Sequence, residues 1–187
     1  MKRRAGGPVK YLTEGELREL FGVIKNPRDL AIFTLAFGRG LRASEVGLMR
    51  LEDYRPKSSR LYVRRLKGSL SQEYLLTPKE EKALRAWLRV RGKVPGLLFA
   101  GYKRKGLGRR MLDVLMKRYG AAAGIPEDRR HFHVLKHSIG TLLGDMDQTP
   151  QVIQDHLGHA NIQSTMIYLH VTPRAREELV RRLAERG

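Results

Sequence analysis

Apolar residues along the chain first recur at helical spacing, then alternate, then return to helical spacing. Thr13 and Glu16 form a capping box, in which each side chain satisfies the other's backbone N–H, and so predict a helix from about Glu14 to Lys25. Asn26-Pro27 breaks it. A largely apolar helix then covers Arg28 to Phe37 and ends at Gly38 and Gly40, and a short helix covers Arg42 to Leu48. In the middle, Leu61, Val63 and Leu66, then Tyr74 and Leu76, sit in short β-prone runs between turn residues. They predict a small antiparallel sheet of three strands at about 47–54, 60–66 and 71–77, with 67–70 as a hairpin tip. Thr77-Pro78 with Glu80 caps a helix to about Arg91. A basic, Gly-rich loop at 101–110 precedes helices at about 109–122, 133–144, 150–157, 161–169 and 174–185. The fold class is therefore α+β: one mainly helical domain over 11–187, with a three-stranded antiparallel sheet, behind a basic arm at 1–10.

Charge changes the picture most. Among 187 residues, 37 Lys and Arg face 19 Asp and Glu, a net charge of +18. A compact surface that basic repels itself unless a polyanion is near, and nucleic acid is the obvious one. A ribosome-associated or merely Arg-rich thermophile protein is the alternative that charge alone leaves open. The chain has no Cys, which removes disulfides, cysteine nucleophiles and thiolate metal sites. Two Asn, no Cys and abundant Arg and Glu lean toward a heat-adapted source. The longest apolar run, Leu30 to Phe37, is too short to span a bilayer, and no apolar stretch follows Lys2, Arg3 and Arg4 as in a secretion signal. A cytoplasmic protein without membrane contact is expected.

Phosphodiester cleavage without a metal needs a nucleophile, cationic donors around the phosphate and an acid for the leaving oxygen. The sequence has no dense carboxylate cluster for Mg²⁺ and no phosphate-binding Gly-rich loop ending in Lys-Ser/Thr. It does have basic residues beside turns and all six His between 131 and 170. Two segments stand out. One is Gly40-Leu41-Arg42-Ala43-Ser44-Glu45-Val46; the other is Leu157-Gly158-His159-Ala160-Asn161-Ile162, with Ser164-Thr165 and then Tyr168, Leu169 and His170. Together with His133-Val134-Leu135-Lys136-His137 they resemble the tyrosine recombinase (phage integrase) family. That family sets an Arg in Gly-Leu-Arg-x-Ser-Glu, carries His-x-x-Arg-His, and places its nucleophilic Tyr nine residues after the His of Leu-Gly-His. His159 and Tyr168 stand nine apart, and the resemblance runs from about Tyr11 to Val171.

The resemblance implies a role for each matching residue. Tyr168 would attack the scissile phosphate, keep the 3′-phosphate as an ester and free a 5′-hydroxyl, without ATP, metal or other cofactor. Arg42 would grip a nonbridging oxygen with its planar fork; the plainer alternative is a surface helix start paired with Glu45. Lys67, at the predicted hairpin tip, would protonate the leaving 5′-oxygen, although Ser69, Leu70 and Ser71 stand where many members have a second basic residue. His133 would hydrogen-bond the phosphate or relay a proton from the first turn of its helix, and His159 would donate to a nonbridging oxygen. Lys136 departs from the pattern, which has an Arg there. It keeps the charge but loses the bidentate fork, a change worth about 10²–10³ in rate if one donor is lost. Arg129 or Arg130, just upstream, could compensate. His131, His133 and His137 are close enough in sequence to weigh as a metal site, but no Glu accompanies His133 as in a zinc protease motif.

Most members of that family also carry an N-terminal helical domain that closes a clamp on the duplex. The likeness starts at about Tyr11, so the expectation is a catalytic domain alone, with the basic arm and the 101–110 loop helping to track phosphates. Double-stranded DNA is the expected partner, held by a monomer that forms a tetrameric assembly on DNA. The predicted function is site-specific recombination or integration. A type IB topoisomerase-like nicking activity and a DNA-binding regulator weakened by Lys136 are the alternatives.

Overall fold

The computed structural model describes residues 9–66, 69–101, 105–169, 180–181 and 183–185. Most of the expected basic arm, Lys67 and Gly68 of the predicted hairpin tip, part of the predicted 101–110 loop and most of the predicted 174–185 helix lie outside the described residues.

Local chemistry starts each main helix. In α1 (Glu14–Val23), Thr13 N–H donates to Glu16 Oε2 at 2.9 Å and Glu16 N–H to Thr13 Oγ1 at 3.3 Å. Asn26 Oδ1 takes the first two free N–H groups of α2 (Pro27–Gly38), at 3.0 and 3.2 Å, and Pro27 opens the helix. Every residue of α2 from Ala31 to Ala36 is buried, so this helix is the spine of the core. It lies against α4 (Pro78–Arg91), whose Glu80 both caps its own helix through Thr77 and pairs with the buried Arg39 guanidinium. Phe33 anchors the centre, with Tyr119 and Phe132 edge-on at 5.7 and 5.5 Å; truncating such a ring to Ala costs about 3–5 kcal/mol. Tyr119 comes from α5 (Arg109–Ala122).

The sheet is antiparallel in the order β1 (Tyr54–Arg55), β2 (Arg60–Val63), β3 (Gln72–Leu75), with Leu61 opposite both Tyr54 and Tyr74. Leu61 and Val63 point into the core while Arg60 and Tyr62 face out. The first strand is much shorter than the predicted 47–54. Asp53 accepts the Arg50 N–H at 3.1 Å and winds Leu51–Asp53 into a 3₁₀ turn, so only Tyr54 and Arg55 join the ladder.

Two more helices, α6 (Val134–Asp145) and α7 (Pro150–Leu157), complete the site's frame after α3 (Ala43–Val46). The predicted helix at 161–169 is instead two 3₁₀ turns, Ile162–Ser164 and Met166–Tyr168. Asn161 Oδ1 takes the Gln163 N–H at 2.8 Å, and the fully buried Thr165 separates the turns. Ile139, Ile153, Leu157 and Tyr168 form a small second core under these segments. Among the described residues no helix is long and apolar enough to cross a membrane.

Candidate active site

The site begins where α2 stops. Gly40 turns the chain at φ +54°, and a Cβ there would strike the Leu157 side chain and sit 3.6 Å from Lys136 Cγ. A bare backbone at this corner lets the α2–α3 turn close onto α6 and α7. Leu41 is then fully buried and Arg42 is delivered half-buried at the start of α3. Arg42 N–H and Nη1 hold Glu45 at 2.8 and 2.9 Å, and Nη1 also donates to Ser69 Oγ at 2.8 Å. Its Nε and Nη2 have no protein partner among the described residues.

Behind Arg42 lies a second cation. The Arg65 side chain is 0 % exposed, as is Glu45, and its Nη1 donates to Glu45 Oε2 at 2.9 Å and to Gly40 O at 3.2 Å. Its Nη2 donates to Arg39 O, Tyr74 Oη and His156 O at 2.7–3.3 Å. One guanidinium thus ties α2, β3 and α7 together. Burial alone would push the Glu45 carboxyl up, but the Arg42 N–H and the Arg65 guanidinium outweigh it and hold the group below its ordinary range. Gly158 ends α7 in the left-handed conformation, φ 61°, and a Cβ there would come within 2.8 Å of Arg65 Nε.

Lys136 projects from α6 and is 2 % exposed, with Nζ donating to Leu157 O at 2.7 Å. Burial, then the Arg65 and Arg42 charges, push it down to about 7. His133 stands just before the first turn of α6, and burial followed by its neighbours His137 and Lys136 lowers it to about 4. His159 is also lowered to about 4, by burial, Lys136 and Arg42. Its Nδ1 meets Thr165 Oγ1 at 3.0 Å; with the hydroxyl donating, Nε2 carries the proton. Tyr168 is 2 % exposed, its ring stacked on His159 at 6.4 Å and its phenol 3.0 Å from His137 Nδ1. Burial pushes that phenol up to about 12 against the pull of Arg42.

Of the six residues singled out from sequence, Arg42, His133, Lys136, His159 and Tyr168 therefore converge on one site. Lys67 lies outside the described residues; its neighbours Leu66 and Ser69 stand at the site, Ser69 on Arg42 and Leu66 on the wall of a cavity of about 460 Å³. Arg42, Ser44, Arg109, His131 and His133 line the same cavity. Arg129 and Arg130 do not supply a replacement cation for Lys136. Arg129 pairs with Glu16 at 2.6 Å and Arg130 Nε donates to Ile125 O at 2.5 Å. The cation that sequence reasoning overlooked is Arg65, whose fully buried side chain braces Glu45 and the backbone at Arg39, Gly40 and His156. The available signal was alternation, since Arg65 continues the buried i, i+2 pattern of Leu61 and Val63 two residues past the end of β2. His137 was weighed only as a metal ligand; among the described residues no group of three or more His, Cys, Asp or Glu could hold a metal ion.

The model of the phage integrase family matches residues 10–175. The chain belongs to the phage integrase family. Among related members of this family, the type 1 fimbriae regulatory protein FimB of Escherichia coli (strain K12) is 32 % identical over 177 residues, 90 % of this chain and 88 % of FimB. Tyrosine recombinase XerA of Pyrococcus furiosus is 33 % identical over 178 residues, 92 % of this chain but 61 % of XerA. A crystal structure of XerA recombinase superimposes with a TM-score of 0.78 at 25 % identity, covering 97 % of this chain and 66 % of that one. The chain thus spans about three fifths of the phage integrase relative XerA and most of FimB.

Proposed function

We propose that this protein is a site-specific DNA recombinase that cuts and rejoins double-stranded DNA through a 3′-phosphotyrosyl ester at Tyr168. The observation that carries the reading is the meeting of a buried phenol with Arg42, Lys136 and His159 around one site. Arg42 turns Nε and Nη2, which have no partner among the described residues, to a nonbridging phosphate oxygen. Lys136 adds a second charge, and His159 donates from Nε2. Tyr168 Oη attacks phosphorus in line, the 5′-oxygen leaves, and Lys67 supplies its proton. The ester keeps the energy of the broken bond, so rejoining needs no ATP.

The net charge of +18 supports duplex binding through phosphates, assisted by the basic residues of 1–10 and 101–110. Few base contacts follow from such a surface, so binding is micromolar in scale and falls steeply with salt. The protein is monomeric when free and tetrameric on two duplexes.

The test is a pool of nicked suicide duplexes enriched by binding to the protein. A covalent adduct on a denaturing gel, lost in Tyr168→Phe, is expected. Intact binding without any adduct would instead favour a DNA-binding regulator, a second reading supported by the tethering of Lys136 Nζ to Leu157 O. Relaxation of supercoils without exchange of ends would indicate topoisomerase-like nicking.

A further inference from the structure

Attack by Tyr168 requires that its phenolic proton go somewhere. We propose that His137 is a catalytic residue of this reaction, the base that takes the proton from Tyr168 Oη during cleavage and returns it during rejoining. The assignment rests on the recombinase reading above.

His137 Nδ1 lies 3.0 Å from the phenolic oxygen, inside the reach a general base needs. Among the described residues, none of the other nearby groups hydrogen-bonds the phenolic oxygen. His159 Nδ1 is on Thr165, Lys136 Nζ is on Leu157 O, and His133 meets the His137 ring edge-on at 4.6 Å rather than the phenol. The approach is built into α6. Gly140 lies one turn beyond His137, and a Cβ there would come within 2.7–2.8 Å of the Tyr168 ring; one at Gly144 would strike the Tyr168 carbonyl. The two glycines form a slot on the helix surface in which the ring lies, with His159 stacked on it, so that the hydroxyl is presented to Nδ1.

The charge around His137 suits a neutral acceptor. Burial, then His131 and Lys136, hold it below its ordinary value, so the ring is unprotonated near neutral pH, with the proton on Nε2 and Nδ1 free to accept. The groups facing the pair are His131, His133 and Lys136 from its own segment and Arg42 and His159 from the others. In the resting site, transfer from a phenol near 12 to this imidazole is uphill. It becomes favourable as the Oη–P bond forms and the phenol acidifies. In the balanced step the O–H bond of Tyr168 breaks, its proton passes to His137 Nδ1, Oη–P forms, and P–O5′ breaks with a proton delivered to O5′ by Lys67. Rejoining reverses each transfer.

The test is single-turnover cleavage of the nicked suicide duplex by the wild type, His137→Gln and His137→Ala, at matched DNA occupancy. A second duplex carries sulfur in place of the bridging 5′-oxygen, a leaving group that needs no proton. Both variants should cleave about 10²-fold or more slowly on both duplexes. Gln keeps a hydrogen bond to the phenol without taking a proton, and its similar size guards against a folding defect in Ala. A smaller loss in His137→Gln overturns the base assignment and leaves the recombinase reading intact, as does a loss that the sulfur duplex restores. A wild type that forms no adduct sinks the recombinase reading and the base with it.

Discussion

The two halves of the site are built from opposite materials. On the Arg42 side, a single fully buried carboxylate, Glu45, sits between two guanidiniums, and charge holds the geometry. On the Tyr168 side there is no carboxylate among the hydrogen-bonded partners within the described residues; neutral histidines, a hydroxyl and the bare helix surface at Gly140 and Gly144 hold the ring. The contrast fits the tasks proposed for the two halves. A phosphate must be met by cations that are already fixed and partly dehydrated, because reorienting them during reaction would cost rate. A nucleophile must be positioned without pairing its oxygen to a cation that would blunt it, so shape does the positioning.

If charge organises the first half, removing the shared carboxylate should hurt most. Glu45→Gln leaves Arg65 buried without a counter-charge and frees Arg42 from its brace. Breaking a buried pair in this way costs about 3–5 kcal/mol, read as a lower denaturant midpoint at unchanged slope. The change should be far larger than that of removing Glu73, a half-buried carboxylate shared by the exposed Arg55 and Arg60, where about 1 kcal/mol or less is expected. Equal losses at the two sites would remove the distinction.

If shape organises the second half, one added methyl should disturb it. Gly140→Ala places a carbon within 2.8 Å of the Tyr168 ring, so the ring or the 3₁₀ turn beneath it must move. Overpacking of this kind costs about 1–3 kcal/mol, and the displaced phenol should cleave DNA more slowly while duplex binding is kept. A variant with wild-type stability and wild-type cleavage would show that the slot is not fitted to the tyrosine.

The same contrast explains what was legible in the sequence. The positions of Arg42, His133, Lys136, His159 and Tyr168 could be read because each lies in a short local motif with fixed spacing. The main helices were legible because their caps are local too, Thr13 with Glu16 and Thr77 with Glu80. Arg65 was not, because its importance comes from partners distant in sequence: Arg39, Gly40, Glu45 and His156. His137 looked like half of a metal pair because α6 brings it next to His133, whereas its phenol partner arrives from 31 residues away. The predicted 47–54 strand and 161–169 helix failed for a shared reason. Asp53 and Asn161 bind nearby backbone N–H groups, and such side chains tighten a chain into turns that hydrophobic periodicity does not register.

Lys136 is where the two halves meet, and there stability and activity should respond to pH with opposite signs. Its amine is depressed from 10.5 to about 7 in the folded protein. Between those values the unfolded chain binds a proton that the folded one does not, so stability rises with pH across the window, by up to about 1.4 kcal/mol per unit from this group. Below about 7 the amine is charged in both states, and the dependence from this group vanishes. Cleavage at low DNA concentration should instead fall as pH climbs past about 7, because the free protein loses the charge proposed to hold the phosphate. In Lys136→Arg the guanidinium stays charged throughout. Both slopes should flatten, with cleavage at pH about 8 unchanged or faster than in the wild type. Denaturant midpoints and kcat/KM measured across the same pH series test the pair together. If the variant retains both slopes, the titrating group is not Lys136. If only the stability slope disappears, Lys136 is buried in the frame of the site without holding the phosphate.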